Sequence, residues 1–139
     1  MERLGMGITL RELAPQLEIL GLPSTGGFMS HCGWNSCLES LSLGVPLAAW
    51  PMYGDQPMNA ALVVNRLKAG LDVREWEKRE DLVCSSVIAE VVERLMKSDE
   101  GNEIKKRAEE LGSELRKCTE KGGISRLEFD SFVAHITRI

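Results

Sequence analysis

Short apolar runs separated by glycine and proline fill the first half of the chain, and longer helical repeats fill the second half. The apolar runs have the length of strands, and stretches of helical periodicity stand between them. Strands that alternate with helices need crossover connections, so this order predicts an α/β fold with a parallel sheet. The predicted strands cover residues 7–13, 26–31, 45–51 and 70–74.

The helices predicted between these strands have recognisable start and stop residues. A short helical turn at 16–20 precedes the second strand. The next helix takes Asn35 or Ser36 as its N-cap and ends at Gly44. Asp55 caps a third helix, which has an apolar stripe on one side.

The second half of the chain predicts three further helices. Apolar pairs recur from Leu82 to Met96, which indicates one face of a helix of about sixteen residues. A second helix covers roughly residues 102–121, and its side rich in Lys and Glu is interpreted as a solvated face. Glycines at 122–123 end it. The last segment, 125–139, is helical and strongly apolar, so we expect it to dock on another surface.

Composition narrows the classes of function. The 139 residues carry a net charge of −4, whereas sequence-independent nucleic-acid binding needs clustered positive charge. No apolar run is long enough to span a bilayer, and the first residues do not resemble a cleaved signal. We therefore predict a cytoplasmic protein with no nucleic-acid or membrane partner, and its four cysteines are interpreted as reduced thiols. The oligomeric state is left open.

The segment 26–40 has the order strand, glycine-containing turn, helix start, which predicts an anion site at the helix N-terminus. Gly33 allows close approach of a ligand, and Asn35 and Ser36 offer N–H groups and side-chain donors to a phosphate. His31, at the end of the strand, is placed to donate an N–H to a diphosphate bound at the same helix N-terminus. Glu39, one turn into the helix, is placed to accept two vicinal hydroxyls, as on a ribose.

Each of these residues also has an ordinary structural interpretation. His31 alone is more often a satisfied structural histidine, and Asn35 and Ser36 alone are helix caps. Glu39 alone is a surface carboxylate, and Trp34 alone is a packing residue. Only their combination at this spacing favours a site, and spacing alone supports no more than a phosphate-bearing ligand. A metal site at His31, Cys32 and Cys37 is disfavoured because a fourth ligand at zinc-like spacing is missing.

Three stretches carry a specific resemblance. They read LAPQLEIL at 13–20, PSTGGFMSHCGWNSCLES at 23–40 and GVPLAAWPMYGDQ at 44–56. Together they resemble the secondary-product glycosyltransferase box, the donor-sugar signature of plant UDP-dependent glycosyltransferases. The ending FDSFVAHITR at 129–138 is similar to that of the zeatin O-glucosyltransferases. The resemblance therefore extends over nearly the whole chain.

This resemblance implies a fold and a reaction. The family has a glycosyltransferase B-type fold of two facing Rossmann-like domains, so this chain would be part of the C-terminal domain, with residues 1–121 binding the nucleotide sugar. Residues 122–139 would form a helix that docks on the N-terminal domain. The implied reaction transfers glucose from UDP-glucose, with inversion and without a metal or other cofactor, to a hydroxyl of a small plant metabolite such as zeatin. A catalytically silent, truncated nucleotide-sugar-binding module is the alternative.

The resemblance also implies a role for each matching residue. His31 would contact the diphosphate, and Asn35 and Ser36 would bind the α-phosphate. Glu39 would bind the ribose hydroxyls, with Gln16 close to the same nucleoside. The other matching residues are Trp34, Asp55 and Gln56, which would hold the sugar hydroxyls, and Ala14, whose backbone would read the uracil edge.

Two departures and one absence set this chain apart from the family pattern. Leu13 stands where the box has a tryptophan that stacks on uracil, and Leu22 stands where it has a histidine. The family's general base is a His–Asp pair of the N-terminal domain, whereas the two histidines here are His31 and His135. No catalytic residue is therefore assigned. By resemblance the chain begins at the third of six strands, so we expect the strand at 26–31 to have a bare edge.

Overall fold

A three-stranded sheet with helices on both faces forms the body of the molecule in the computed structural model, which describes residue 7 and residues 11–137. A π-helical segment at Leu62–Arg66 and a 3₁₀ turn at Trp76–Lys78 interrupt the regular elements. The elements are α1 (Gln16–Leu20), β1 (Phe28–Ser30), α2 (Trp34–Ser42), β2 (Leu47–Ala49), α3 (Gln56–Ala61), β3 (Gly70–Asp72), α4 (Ser85–Lys97), α5 (Asp99–Thr119) and α6 (Ile124–Ile136).

The sheet is parallel, with the strand order β1-β2-β3. Phe28 pairs with Leu47, and Leu47 pairs with Gly70, so the three strands end at the same edge. This confirms the predicted α/β fold with a parallel sheet. The strands are shorter than predicted; β2 lies between Pro46 and Pro51, and proline has no N–H to continue the ladder.

Two hydrophobic clusters cover the two faces of the sheet. Leu47 and Ala49 point into one cluster with residues of α2, α3 and α5, and Ala48 between them points into the other. This alternation is the period of two that a strand imposes. The second cluster contains Val91 and Leu95 of α4. Both faces are therefore dry, as expected for a parallel sheet.

The start of α2 corrects one prediction. Gly33, with extended backbone, is the N-cap, and no side chain caps the helix, so the prediction of Asn35 or Ser36 as N-cap is wrong. The reason lies one residue earlier, because Cys32 adopts a φ of 63° and turns the chain into the helix sooner than the cap pattern indicates. The helix ends as predicted, with Gly44 at a φ of 74°.

The later helices differ from the predictions mainly at their ends. Asp55 precedes α3 as predicted, but its side chain caps no backbone N–H. The helix α4 has 13 residues and begins at Ser85, whereas the apolar pattern from Leu82 predicts about sixteen. The helix α5 begins at Asp99 because Ser98 caps it, with Oγ 3.0 Å from the Gly101 nitrogen. The cap at Ser98 is absent from the sequence prediction.

The helix α6 follows the glycine break and has no buried residue. Its apolar side chains Phe129 and Phe132 are 59% and 60% exposed. The helix confirms the predicted secondary structure, and the docking of its apolar side chains stays a prediction.

Of the strand predicted at 7–13, residues 8–10 lie outside the described residues. The described part, Arg11–Leu13, is not in a strand. Within the described ranges β1 pairs with β2 alone and is an edge of the sheet, in line with the expected bare edge. In the same ranges no helix has the length and apolar character needed to cross a bilayer.

Candidate functional site

The turn between β1 and α2 is tightly held. Cys32, at its centre, is fully buried and has a left-handed backbone conformation, with a φ of 63°. Its N–H donates to Oγ of Ser30 at 3.1 Å, and its carbonyl accepts from Nδ2 of Asn59 at 3.0 Å. Both polar groups of the strained peptide unit are therefore satisfied, and the turn has one defined shape.

His31 folds back over Gly33 in this turn. A Cβ added at Gly33 would lie 2.5 Å from Nε2 of His31, so the imidazole occupies the space that a side chain would need. His31 itself is exposed. Glycine at 33 thus lets the imidazole lie directly beside the first turn of α2.

The N-terminus of α2 is open. The N–H of Cys37 donates to the Gly33 carbonyl at 3.0 Å, which is the first hydrogen bond of the helix. The preceding N–H groups, those of Trp34, Asn35 and Ser36, have no acceptor in the part of the chain that the structure describes. Unpaired N–H groups and the positive end of the helix dipole together favour an anion here.

Gln16 connects α1 to α2 through two side chains of the candidate site. Its Nε2 donates to Oε2 of Glu39 at 2.7 Å and lies 3.3 Å from Oγ of Ser36. Glu39 and Gln16 are partly buried. The structure thus brings together three residues expected to face a nucleoside and its first phosphate.

Gln56 and Asp55 lie at the start of α3, beyond the end of β2. Gln56 is 5% exposed, and its Oε1 accepts the N–H groups of Met52 at 2.8 Å and Tyr53 at 3.1 Å. With the oxygen engaged in this way, the amide nitrogen is the group left to bind a ligand. Asp55 is exposed, and its Oδ2 accepts from Nδ2 of Asn59 at 3.0 Å.

Asn59 therefore joins the two predicted clusters. The Cys32 carbonyl and the Asp55 carboxylate each lie 3.0 Å from the same Asn59 nitrogen. The sequence prediction missed this residue. A signal was present, because Asn59 stands four residues after Asp55 on a predicted helix, where side chains meet.

The remaining predicted residues lie around this cluster on the surface. Trp34, the first residue of α2, is 45% exposed, and Leu13 is fully exposed. Ala14 is also exposed, and within the described ranges its backbone makes no hydrogen bond. Leu22 is 52% exposed in a turn closed by a hydrogen bond from the Thr25 hydroxyl to the Ile19 carbonyl.

Cys32 and Cys37 form a buried thiol pair behind the turn. The Cys32 thiol donates to the Ser30 carbonyl, with Sγ 3.6 Å from the oxygen. The neighbouring Cys37 thiol, and then burial, raise the pKa of Cys32. The neighbouring Cys32 thiol lowers the pKa of Cys37. Among the described residues, no three His, Cys, Asp or Glu side chains converge in a way that could hold a metal ion.

Comparison with known proteins connects this arrangement to one family. The model of the UDP-glucoronosyl and UDP-glucosyl transferase family matches residues 2–99. The chain is 58% identical over 134 residues to zeatin O-xylosyltransferase of Phaseolus vulgaris and 54% identical to zeatin O-glucosyltransferase of Phaseolus lunatus. These alignments cover 96% of this chain but 30% and 29% of the two relatives.

The fold has solved counterparts as well. A structure of Phytolacca americana UGT2, complexed with UDP-2fluoro-glucose and pterostilbene, matches 89% of this chain with a TM-score of 0.83 and 39% identity. The match covers 28% of that protein. The chain therefore spans less than a third of the length of these similar proteins, in the C-terminal part of a glycosyltransferase B-type fold.

Proposed function

Because the chain belongs to the UDP-glucoronosyl and UDP-glucosyl transferase family, we propose that it carries the donor site of a UDP-dependent glycosyltransferase. The reaction would transfer glucose from UDP-glucose to a hydroxyl of a small plant metabolite, with inversion. Zeatin is the proposed acceptor because the names of two similar proteins refer to it. Their names also give two sugars, xylose and glucose, and we propose glucose for this chain.

One observation carries this proposal: two sets of side-chain hydrogen bonds flank the open N-terminus of α2. On one side Gln16 bonds to Glu39 and Ser36, and on the other Asn59 bonds to Cys32 and Asp55. The order of groups along this surface is carboxylate, free N–H groups, then carboxylate with amide. That order suits a nucleoside, a diphosphate and a sugar in succession.

The residues of the site would stabilise the leaving group. The acceptor oxygen attacks the anomeric carbon, the bond from that carbon to the diphosphate oxygen breaks, and UDP departs with an added negative charge. The N–H groups of Asn35 and Ser36 and the imidazole of His31 would lie close to the oxygen on which that charge develops. The positive end of α2 and His31 supply the stabilisation that a metal ion supplies elsewhere.

The other side chains would fix the donor. Glu39 would accept the two ribose hydroxyls while Gln16 holds one of its oxygens. Asp55 would accept and Gln56 would donate hydrogen bonds to the sugar, with Trp34 beside it. Leu13 and Ala14, both exposed ahead of α1, would face the uracil.

The proton of the acceptor hydroxyl needs a base that this sequence does not identify. His31 is assigned to the diphosphate, and His135, the other histidine, lies exposed near the end of α6. We propose that an N-terminal domain of the kind the family has supplies the base and the acceptor pocket. Residues 122–139 would dock on that domain through the exposed apolar side chains of α6, and residues 1–121 would bind the donor. The proposed location is the cytoplasm.

A catalytically silent nucleotide-sugar-binding module is the second candidate. A different observation favours it: the 139-residue sequence has two histidines, and neither matches the family's base. For this chain alone we expect weak UDP binding and no sugar transfer.

NMR titration of the ¹⁵N-labelled chain with UDP, followed by an assay of transfer from UDP-glucose to zeatin, tests both candidates. UDP should shift the amide signals of residues 33–36, and His31→Ala should weaken this binding at least fivefold. His135→Ala is the matched control and should leave binding unchanged. Equal effects of the two variants, or shifts remote from α2, would refute the proposed donor site. Transfer by the chain alone would refute the silent module.

A further inference from the structure

We propose that Asn59 is a positioning residue that couples recognition of the donor sugar to recognition of the diphosphate. The inference rests on the proposed function and assigns a role to a residue that the sequence left without one. Asn59 lies in α3, is partly buried, and donates from one amide nitrogen to two different parts of the site.

The geometry uses both hydrogens of the Asn59 amide group. One acceptor is the Cys32 carbonyl in the turn after β1, and the other is Oδ2 of Asp55, each at 3.0 Å. An amide nitrogen has two N–H bonds, so each acceptor receives one. No other side chain of the described residues bonds to both the turn and α3.

The first of these bonds holds a turn that is costly to form. A residue with a side chain rarely takes the left-handed conformation of Cys32, and surrounding bonds must maintain it. Ser30 holds its N–H and Asn59 holds its carbonyl. The turn places His31 over Gly33, so Asn59 contributes indirectly to the position of the imidazole.

The second bond fixes the carboxylate of Asp55. With Oδ2 engaged by Asn59, the other oxygen is the one left to accept a sugar hydroxyl, in a fixed direction. Gln56 is anchored separately by the backbone of Met52 and Tyr53, so its position does not depend on Asn59. Asp55 has no comparable second anchor among the described residues.

This difference predicts which ligand is sensitive to Asn59. The diphosphate of UDP would keep the helix N–H groups and most of the His31 contact without Asn59. The glucose of UDP-glucose would lose a directed carboxylate. Removing the amide should therefore reduce the gain in affinity that the sugar provides, more than it reduces the affinity for UDP itself.

NMR titrations of the 139-residue chain with UDP and with UDP-glucose test the inference. Asn59→Ala should weaken UDP-glucose binding at least fivefold and UDP binding less than twofold. Asn59→Asp keeps the shape but sets a second carboxylate against Asp55, so its loss for UDP-glucose should be larger. Asn65→Ala is the matched control, since Asn65 is exposed and its side chain makes no hydrogen bond within the described ranges.

A measurement on the unchanged chain does not depend on how the variants fold. The side-chain NH₂ signals of Asn59 should shift more with UDP-glucose than with UDP. Equal shifts with the two ligands would overturn the inference, as would equal losses for UDP and UDP-glucose in Asn59→Ala.

The failure of the proposed function would look different. If the amide signals of residues 33–36 in the unchanged chain shift with neither ligand, the proposed donor site is refuted. The proposed role of Asn59, which rests on that site, is then refuted as well. If UDP binds and UDP-glucose binds no tighter, the donor site stands and the role of Asn59 is refuted.

Discussion

The sheet body, residues 28–119, and the terminal helix α6 use similar apolar side chains in opposite ways. In the body, Leu47 and Val63 are fully buried between the sheet and its helices. In α6, Phe132 and Ile136 are each 60% exposed, and no residue of the helix is buried. The body thus stabilises itself, whereas the apolar residues of α6 contribute little to this chain.

The difference shows that an apolar pattern predicts a helix but does not predict whether the apolar face of that helix is buried. Helical periodicity predicted both α5 and α6, because a repeat of apolar residues depends on the chain alone. Which segment packs against an apolar face is decided by the tertiary structure. One face of α5 is solvated, and the opposite face of the same helix packs on α2 and α4. Within the described residues, no element buries the apolar side chains of α6 in a comparable way.

The largest expected effect comes from truncating a buried side chain of the body. Leu47→Ala should lower the free energy of unfolding by about 2–5 kcal/mol, because it leaves a cavity around a fully buried position. Phe132→Ala, a larger truncation in α6, should change it by less than about 0.5 kcal/mol. Urea denaturation followed by circular dichroism measures both.

The two variants test the contrast between body and helix directly. A loss above about 2 kcal/mol for Phe132→Ala would mean that α6 is covered in solution, for instance by a second copy of the chain. Repeating the measurement at several protein concentrations would detect such an association, because the apparent stability would then depend on concentration.

A second prediction concerns the contact between α2 and α5. A Cβ on Gly112 would lie 2.8 Å from the Leu41 carbonyl oxygen and 2.9 Å from the Gly44 nitrogen, both backbone atoms. Gly112→Ala should therefore destabilise the chain by about 1–3 kcal/mol, although alanine favours a helix by about 1 kcal/mol over glycine. Thermal unfolding measures this, with Ser113→Ala as the control on the same helix. A gain in stability would show that α2 and α5 are packed less closely.

The sequence predicted the layers of the fold better than the ends of its elements. Parallel strands and crossover helices follow from the order of apolar runs, and Gly44 marked the end of α2. The start of α2 was missed because the left-handed conformation of Cys32 is set by Ser30 and Asn59, which lie outside the local cap pattern. The start of α5 was missed because Gly101 stands three residues after Ser98, where a capping box has Glu or Gln.

In the candidate site too, some contacts could be predicted from the sequence and others could not. His31, Gly33 and Glu39 lie within one strand–turn–helix unit, so their proximity could be predicted from spacing. The contact of Gln16 with Glu39 and that of Asn59 with Cys32 join residues more than 20 positions apart. Such contacts depend on how helices pack on the sheet, which the spacing of residues along the chain does not contain.

A third prediction extends the comparison to Leu13, an apolar residue that is even more exposed than those of α6. It is fully exposed, and the resemblance places it where a tryptophan stacks on uracil. Leu13→Trp should tighten UDP binding about tenfold, since stacking of a base on an aromatic side chain contributes about 1–3 kcal/mol. NMR titration measures the change, with Leu82→Trp, at a site 92% exposed, as the control. Unchanged affinity in a folded sample would count against stacking at this position.

The smallest expected effect concerns Asp72, at the end of β3. Asp72 is exposed, but its carboxyl is partly desolvated, and this, followed by the charges of Glu75 and Glu77, raises its pKa above the usual range. The folded state therefore disfavours the ionised form, so the contribution of Asp72 to stability is full below the pKa of the unfolded chain and is lost as pH rises through the folded pKa. Asp72→Asn removes this penalty and should stabilise the chain at pH 7 by less than about 1 kcal/mol.

The pH dependence distinguishes this cause from a general effect of removing a charge. The gain from Asp72→Asn should vanish in acid, below the usual aspartate pKa of about 3.9, because the carboxyl is then protonated in both states. Asp81→Asn serves as the control, at a position that is also exposed but lies outside the sheet. Urea denaturation at pH 7 and in acid measures the difference for each variant. An equal gain at both pH values would mean that packing at the end of β3, and not the charge of Asp72, limits the stability of the body there.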